Sequence, residues 1–255
     1  MVLTRRLLGL RCEEYWFDRE GFLRSTADIA ALRTHEPHVP AGAVIREKTL
    51  VLSLDKSEDK LLADMQSRTR GYIRNIAGTV RISLARTDED REQFYRIYWS
   101  FARSRGLMLP RRNEEDLEIF LARTDNGNLL HATAFIPAWK SGVYRYRYSV
   151  AAQKSQVNKA IVWTALLHAK KAGFLLFDFG GVPADLSGKS PLHDIYLFKA
   201  QFGGTPKETF LYIRSAKAWF KPMVACIGAV ISHQRWYALA VSMANTMGLD
   251  HREEM

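Results

Sequence analysis

Cysteine is nearly absent. The 255 residues hold two, Cys12 and Cys226, with no C-x-x-C pair and no metal-ligand spacing. This excludes a disulfide framework and suits a reducing compartment, so a cytoplasmic location is expected. The seven histidines form no H-E-x-x-H and no cluster, which leaves no case for a metal. There is no G-x-S-x-G nucleophile and so no reason to invoke a covalent intermediate. Long apolar runs are lacking as well. The longest near the C-terminus, Met223 to Ser232, is broken by His233, Gln234 and Arg235 and is too short to cross a bilayer. Residues 1–10 carry arginine and leucine without a long apolar core or a cleavage site, unlike a secretory signal. A helix over 219–247 lying on a surface is the alternative to a packed helix, which is the plainer reading. No internal repeat and no low-complexity segment is present.

What is there is ordinary in amount and uneven in charge. Apolar residues make up 47% and charged residues 25%, enough for a sizeable core. The formal net charge is +10 and the pI about 9.7. Such an excess favours an anionic partner (nucleic acid, a phosphorylated small molecule or an anionic membrane surface), against the plain alternative of an indifferent basic surface.

Patterning gives the organisation. Residues to about 48 are mixed, with a Pro- and Gly-bearing loop at 35–42. A strand at 49–54 leads to a helix capped by Asp55 or Ser57, running to about Ile76 and stopped by Gly78. A strand follows at 79–85. Asp88 is a candidate cap for a helix to about Ser104, in which Phe94, Ile97, Tyr98 and Phe101 keep helical spacing. Residues 114–123 read as a shorter helix. Asn126-Gly127-Asn128 starts a strand at 129–139, and Ser141-Gly142 turns it into another at 143–151. A helix at 157–172 is closed by Gly173. A strand at 174–179, a helix at 192–202 ending at Gly203-Gly204, and a strand at 208–213 complete the order. That order predicts an α/β fold with an acetyltransferase-like (GNAT) mixed central sheet flanked by helices. The expected division is a segment at 1–48, a domain at 49–214 and a helical extension at 215–255. Fold class alone assigns no function.

Three segments carry a family resemblance. Arg70-Gly-Tyr-Ile-Arg74 ends the helix before Gly78. Tyr146-Arg-Tyr-Ser-Val-Ala151 is followed by Trp163, Gly173 and Phe177-Asp-Phe-Gly-Gly181. Leu197-Phe-Lys-Ala-Gln-Phe-Gly-Gly204 comes last. In this order and spacing, over roughly 49–213, they resemble the FemABX family of peptidoglycan-bridge aminoacyltransferases. The family's usual two acetyltransferase-like domains correspond here to one, with residues 1–48 as the remnant of the other. Shorter relatives build peptide natural products, antibiotics among them. The resemblance implies transfer of an aminoacyl group from charged tRNA, as co-substrate and with no cofactor, to a small-molecule or peptide amine, without stable insertion into a membrane.

The same resemblance places Lys199 and Phe198 at the reaction centre. A cation there stabilises the developing oxyanion or grips the terminal nucleotide, and Phe198 offers its backbone N–H. Read from the residues alone, Lys199 is a solvated helix lysine, while Ile195, Phe198 and Phe202 are spaced as one apolar core face. Gly204, with Gly203, is either a cap or a place of close backbone approach, and Gly180-Gly181 carries the same ambiguity. Asp178, amid apolar residues, either organises its loop or contacts a substrate amine; the need of a buried carboxylate for donors favours the first. Arg70 and Arg74, spaced i, i+4 with Arg68, Arg81 and Arg86 nearby, form a stripe able to bind tRNA phosphates or simply to face solvent. A second cluster, Arg103, Arg105, Arg111 and Arg112, has Arg111 as the family's nearest substrate-binding match. Tyr148 matches an acceptor-facing strand position or is a half-buried sheet tyrosine. His193 is a proton relay to Lys199 or a surface histidine.

Two rivals stand beside this reading. A coenzyme A-dependent N-acyltransferase needs a glycine-rich turn before the helix that follows the hairpin. The turn here, Gln153-Lys-Ser-Gln-Val-Asn-Lys159, has no glycine, although Lys154 and Lys159 supply charge for phosphate, tRNA included. A non-enzymatic RNA-binding module would have no need of the Phe198-Lys199 segment.

Overall fold

The computed structural model of the protein describes residues 2–7, 10–40, 43–76, 78–104, 117–152, 156–182 and 193–216. These residues contain strands β1 (Val2–Leu7) and β2 (Leu10–Trp16), helix α1 (Arg19–Arg24), and strands β3 (Ile29–Thr34) and β4 (Ala43–Ser53). Helices α2 (Glu58–Asp64) and α3 (Ser67–Ile76), strand β5 (Arg81–Leu84) and helix α4 (Asp88–Ser104) follow. Then come β6 (Glu118–Arg123), β7 (Leu129–Ala138), β8 (Val143–Ala151), α5 (Asn158–Lys171), β9 (Leu176–Val182), α6 (His193–Ala200) and β10 (Thr205–Ser215).

Local chemistry sets many of these boundaries. Ser57, not Asp55, caps α2 by accepting from Lys60 N at 3.2 Å. Thr87 does the same for α4, its Oγ1 accepting from Asp90 N at 3.2 Å. Asp88 is thus the first helical residue, where an acid favours the helix dipole. The hairpin between β7 and β8 turns on a short 3-10 segment at Trp139–Ser141.

Two expectations are corrected. The helix over 58–76 is two helices, because the chain breaks at Met65 and Gln66. Gln66 N donates to Gln201 O at 3.0 Å, and Arg70 Nη1 donates to Ala63 O at 2.9 Å and also to Met65 O. Residues 118–123, expected to be helical, form β6, paired antiparallel with both β5 and β7. Ile119 to Ala122 are buried consecutively, as in a strand covered on both faces. A short apolar run of that kind does not distinguish strand from helix by its period.

The described residues divide into two compact units. One takes its residues from 1–47, 99–114 and 208–255, the other from 48–98 and 115–207. In the first, β2 pairs antiparallel with β1 and parallel with β3, and β3 pairs antiparallel with the second half of β10, Phe210 opposite Thr34. Tyr15, Phe22, Leu32, Phe210 and Tyr212 form its core, against which α1 packs through Phe22. Residues of the N-terminal segment and the second half of the closing strand thus share this unit.

In the second unit the strand order is β4-β9-β8-β7-β6-β5. All neighbours are antiparallel except β8 and β9, which α5 connects as a crossover helix. This is the mixed α/β sheet expected from the element order. Its core is aromatic: Phe135 stacks on Tyr144 with centroids 5.3 Å apart, Phe179 lies 4.8 Å from Phe177, and Phe202 stacks on Phe179 at 5.5 Å. Phe202 follows α6 directly, so this stack fixes α6 against β9.

Candidate functional site

The parallel ladder between β8 and β9 stops early. Its last pair is Arg145 opposite Asp178, although β8 continues to Ala151 and β9 to Val182. At this point β9 bends through Gly180, whose φ is +81°. A Cβ there would lie 3.4 Å from Tyr146 O and 3.7 Å from both Arg145 Nη2 and Lys199 Nζ, so the absence of a side chain keeps the two cations' surroundings open.

Around this end of the ladder lies a cluster of buried charge. Asp178 is fully buried. Its Oδ1 accepts from Gly180 N at 2.7 Å and from Thr49 Oγ1, and its Oδ2 is ion-paired with Arg145 Nη1. These partners give the carboxylate the donors that burial demands, and they are those of a loop organiser. Lys199 is 7% exposed, so the solvated lysine read from its helix position is corrected. Its Nζ donates to Gly181 O at 2.6 Å. Burial and, second, the Arg145 charge lower the Lys199 pKa to about 8, with Asp178 acting in the opposite direction. Lys199, Arg145 and Asp178 together carry one net positive charge when Lys199 is protonated. A water-poor site with that balance favours an anion or an oxyanion.

Phe198 is half-buried and packs edge-on against Phe202 at 5.6 Å. Ile195 is 48% exposed, so the three residues do not form the single apolar face expected from their spacing. Gly203 and Gly204 are places of close approach. At Gly203, with φ +83°, a Cβ would meet Asp64 O at 2.6 Å, and at Gly204 it would meet Leu50 Cγ at 2.9 Å and Val51 O at 3.0 Å. They seat α6 on α2 and β4.

The remaining expected residues are dispersed. Tyr148 is buried, with its ring 4.8 Å from that of Tyr98 and the Arg147 guanidinium 4.7 Å from its centroid. Arg70 caps the end of α2, while Arg74 and Arg68 are exposed on α3. Lys159, on α5, places its Nζ 5.7 Å over the Tyr72 ring. His193 packs against Tyr196 at 6.2 Å. Lys154 and Arg111 lie outside the described residues, as does the expected 219–247 helix.

A second polar network, partly buried, joins α5 to β7 and β8 and was not among the sequence expectations. Asn158, the first residue of α5, donates through Nδ2 to Tyr146 OH at 3.1 Å and accepts from Thr133 Oγ1 at 2.9 Å. Ser149 Oγ lies 3.2 Å from Thr133 Oγ1 and 2.7 Å from His131 Nε2. Burial raises the Tyr146 pKa and lowers that of His131 to about 4. The signal was present in β7, where His131 and Thr133 interrupt an otherwise apolar run at strand spacing.

No protein-family model and no curated protein matches the sequence. Solved structures do match in fold. FemX is similar with a TM-score of 0.59 and 13% identity, over 83% of each chain. L-PGS from Bacillus licheniformis is similar with a TM-score of 0.53 and 10% identity, over 91% of this chain and 86% of that one. A C-terminal domain (DUF2156) ascribed to a lysylphosphatidylglycerol synthetase of Agrobacterium fabrum gives a TM-score of 0.55 and 11% identity, over 90% and 84%. The chain therefore shares an acetyltransferase-like fold with FemX over 83% of its length.

Proposed function

We propose that the protein is an aminoacyltransferase that moves an aminoacyl group from aminoacyl-tRNA to an amine, forming an amide bond. The observation that carries this reading is Lys199: a buried ammonium at the end of the β8–β9 ladder, within the Leu197–Gly204 segment that resembles FemABX enzymes. The shared fold with FemX, and with a domain named for lysylphosphatidylglycerol synthesis, supports the same class.

The chemistry has simple demands. A neutral amine attacks the carbonyl carbon of the ester that joins the amino acid to the terminal ribose. The C–N bond forms, negative charge collects on the carbonyl oxygen, and the C–O bond to ribose then breaks. The proton lost by the amine ends on the ribose oxygen. Lys199 supplies a fixed positive charge for the oxyanion, with Gly181 O holding Nζ in place. Arg145 adds to the field, and Asp178 holds Arg145. Orientation of the two substrates supplies much of the remaining rate.

The test is a transfer assay with a mixture of charged tRNAs and candidate amines, with and without RNase. RNase-sensitive amide product is expected. Product formed from an acyl-coenzyme A in the presence of RNase would instead establish the coenzyme A-dependent rival.

A further inference from the structure

The first unit holds a cavity of about 390 Å³ that the chemistry above does not use. Its floor is built from alternate residues of two neighbouring strands: Val44 and Arg46 on β4, and Glu208, Phe210 and Tyr212 on β10. Spacing by two puts their side chains on one face of the sheet. One wall is the loop after β3, through His38 and Val39. That loop is pinned. Tyr212 OH donates to Glu36 O at 3.2 Å, Glu36 N donates to Thr34 Oγ1 at 3.2 Å, and Val39 is buried in the core with Phe210 and Tyr212. The cavity is therefore formed before any ligand arrives, and its volume is in the range of small-molecule sites.

Three features mark it as more than a dip in the surface. The first is charge. Opposite charges on neighbouring strands gain by pairing across a sheet. On the other face of this sheet Arg33 and Glu47 form such a pair, from β3 and β4. Arg46 and Glu208 stand on adjacent strands at one cavity, yet among the described residues neither side chain has an ion-pair or hydrogen-bond partner. The second feature is Val44, an apolar cavity residue left 50% exposed. The third is His38. Its φ is +66°, a left-handed conformation that a residue with a side chain rarely adopts, and such residues cluster where ligands are held. A cation, an anion and an apolar surface thus open on one volume without satisfying one another.

We propose that this cavity binds a free α-amino acid with an apolar side chain. The Arg46 guanidinium takes the carboxylate, Glu208 takes the ammonium, and Val39, Val44 and Phe210 receive the side chain. A zwitterion fits better than a lone anion or a lone cation, since either of those would bring a like charge against Glu208 or Arg46. Neighbouring strands lie about 5 Å apart, which matches two opposite charges carried on one carbon. The site goes beyond the transfer reaction and does not rest on it.

The experiment is a titration of the full chain, labelled at its valine methyl groups, that follows the resonances of Val39 and Val44. The probes are L-leucine, N-acetyl-L-leucine, which lacks the ammonium, and L-leucinamide, which lacks the carboxylate. L-leucine is expected to shift both residues with a Kd between about 0.1 and 1 mM. Each blocked derivative should bind about 5- to 20-fold more weakly. Glu208→Gln should weaken L-leucine about 5- to 20-fold and N-acetyl-L-leucine less than about 2-fold. Arg46→Gln should weaken L-leucine by a similar factor and spare L-leucinamide. This pairing of variant with probe separates a lost charge contact from a damaged fold, which would move all three probes together. The absence of any shift at Val39 and Val44 with L-leucine up to about 20 mM overturns the site. So does binding in which the blocked derivatives match L-leucine in the wild type.

Discussion

The Lys199 ammonium donates to the Gly181 carbonyl at 2.6 Å, and this one bond ties helix α6 to the bend in β9. On the proposed function it also bears on the part Lys199 plays. With one proton committed to a carbonyl oxygen, the nitrogen is held as a cation and is poorly placed to serve as a base. Lys199→Ala should lower kcat about 100-fold or more, the usual cost of losing one preorganised oxyanion donor, while tRNA affinity changes less than 3-fold. Activity of the wild type should fall as pH rises through about 8, where Lys199 loses its proton. That alkaline limb should be missing from the kcat profile of Lys199→Ala. A profile that rises through pH 8 in the wild type and not in the variant would make Lys199 a base.

The same residue should limit stability. Folding lowers the Lys199 pKa from 10.5 to about 8, chiefly by burial. Below pH 8 both folded and unfolded chains hold the proton, and the full penalty for burying the charge is present. Between about 8 and 10.5 the unfolded chain holds a proton that the folded one lacks, so the penalty fades as pH rises. A shift of this size corresponds to about 3 kcal/mol. Lys199→Met removes the charge and keeps much of the volume, at the loss of one hydrogen bond worth about 1 kcal/mol. The variant should be inactive and about 1–3 kcal/mol more stable in urea denaturation at pH 7. Unchanged or lower stability would show that the ammonium is better compensated than its neighbours suggest.

Burial is where the sequence was least informative about this site. Segment order was readable because Gly142, Gly173 and the alternating strand residues act locally. The burial of Lys199 was not readable, because α6 has no clean apolar face: Ile195 and Leu197 are exposed while Lys199 turns inward. What decides its direction is the Gly181 carbonyl, eighteen residues away in the chain. The break between α2 and α3 has a similar origin. No glycine or proline marks it, and the bonds that hold it open reach to Gln201 and across to Arg70. Asp178 was readable because a lone carboxylate in Phe-Asp-Phe must find donors, although nothing in the sequence named Thr49 and Arg145 as those donors.

Gly203 should be the least replaceable glycine of the Phe-Gly-Gly run. Its φ of +83° disfavours any side chain, and a Cβ would lie 2.6 Å from the backbone oxygen of Asp64, which has no rotamer to yield with. Gly203→Ala should cost roughly 2–4 kcal/mol in a denaturant titration, more than the loss from chain entropy can offset. Because Gly203 seats the end of α6, catalysis by the folded fraction should also fall. A stable and fully active Gly203→Ala would mean that α6 tolerates a shift and that its seating does not position Lys199.

The His131 network predicts acid lability. Its Nε2 lies 2.7 Å from Ser149 Oγ, and its Nδ1 is buried without a partner among the described residues. The neutral ring therefore fits, with Nε2 donating to Ser149, a tautomer assigned from the network. Adding a proton at Nδ1 would create a buried donor with no acceptor and a buried charge with no counter-ion. Burial accordingly holds the pKa near 4, below the ordinary 6.5. The sign follows: between about 6.5 and 4 the unfolded chain takes up a proton that the folded chain refuses, so stability drops as pH falls through that window. From pH 7.5 to 5 the loss assigned to this residue is about 2 kcal/mol. Urea denaturation of the wild type and of His131→Gln at both pH values isolates it. The variant should lose about 2 kcal/mol less than the wild type over the same interval, whatever its stability at pH 7.5. Equal losses would place the acid sensitivity elsewhere and show that the ring accepts its second proton in the folded state.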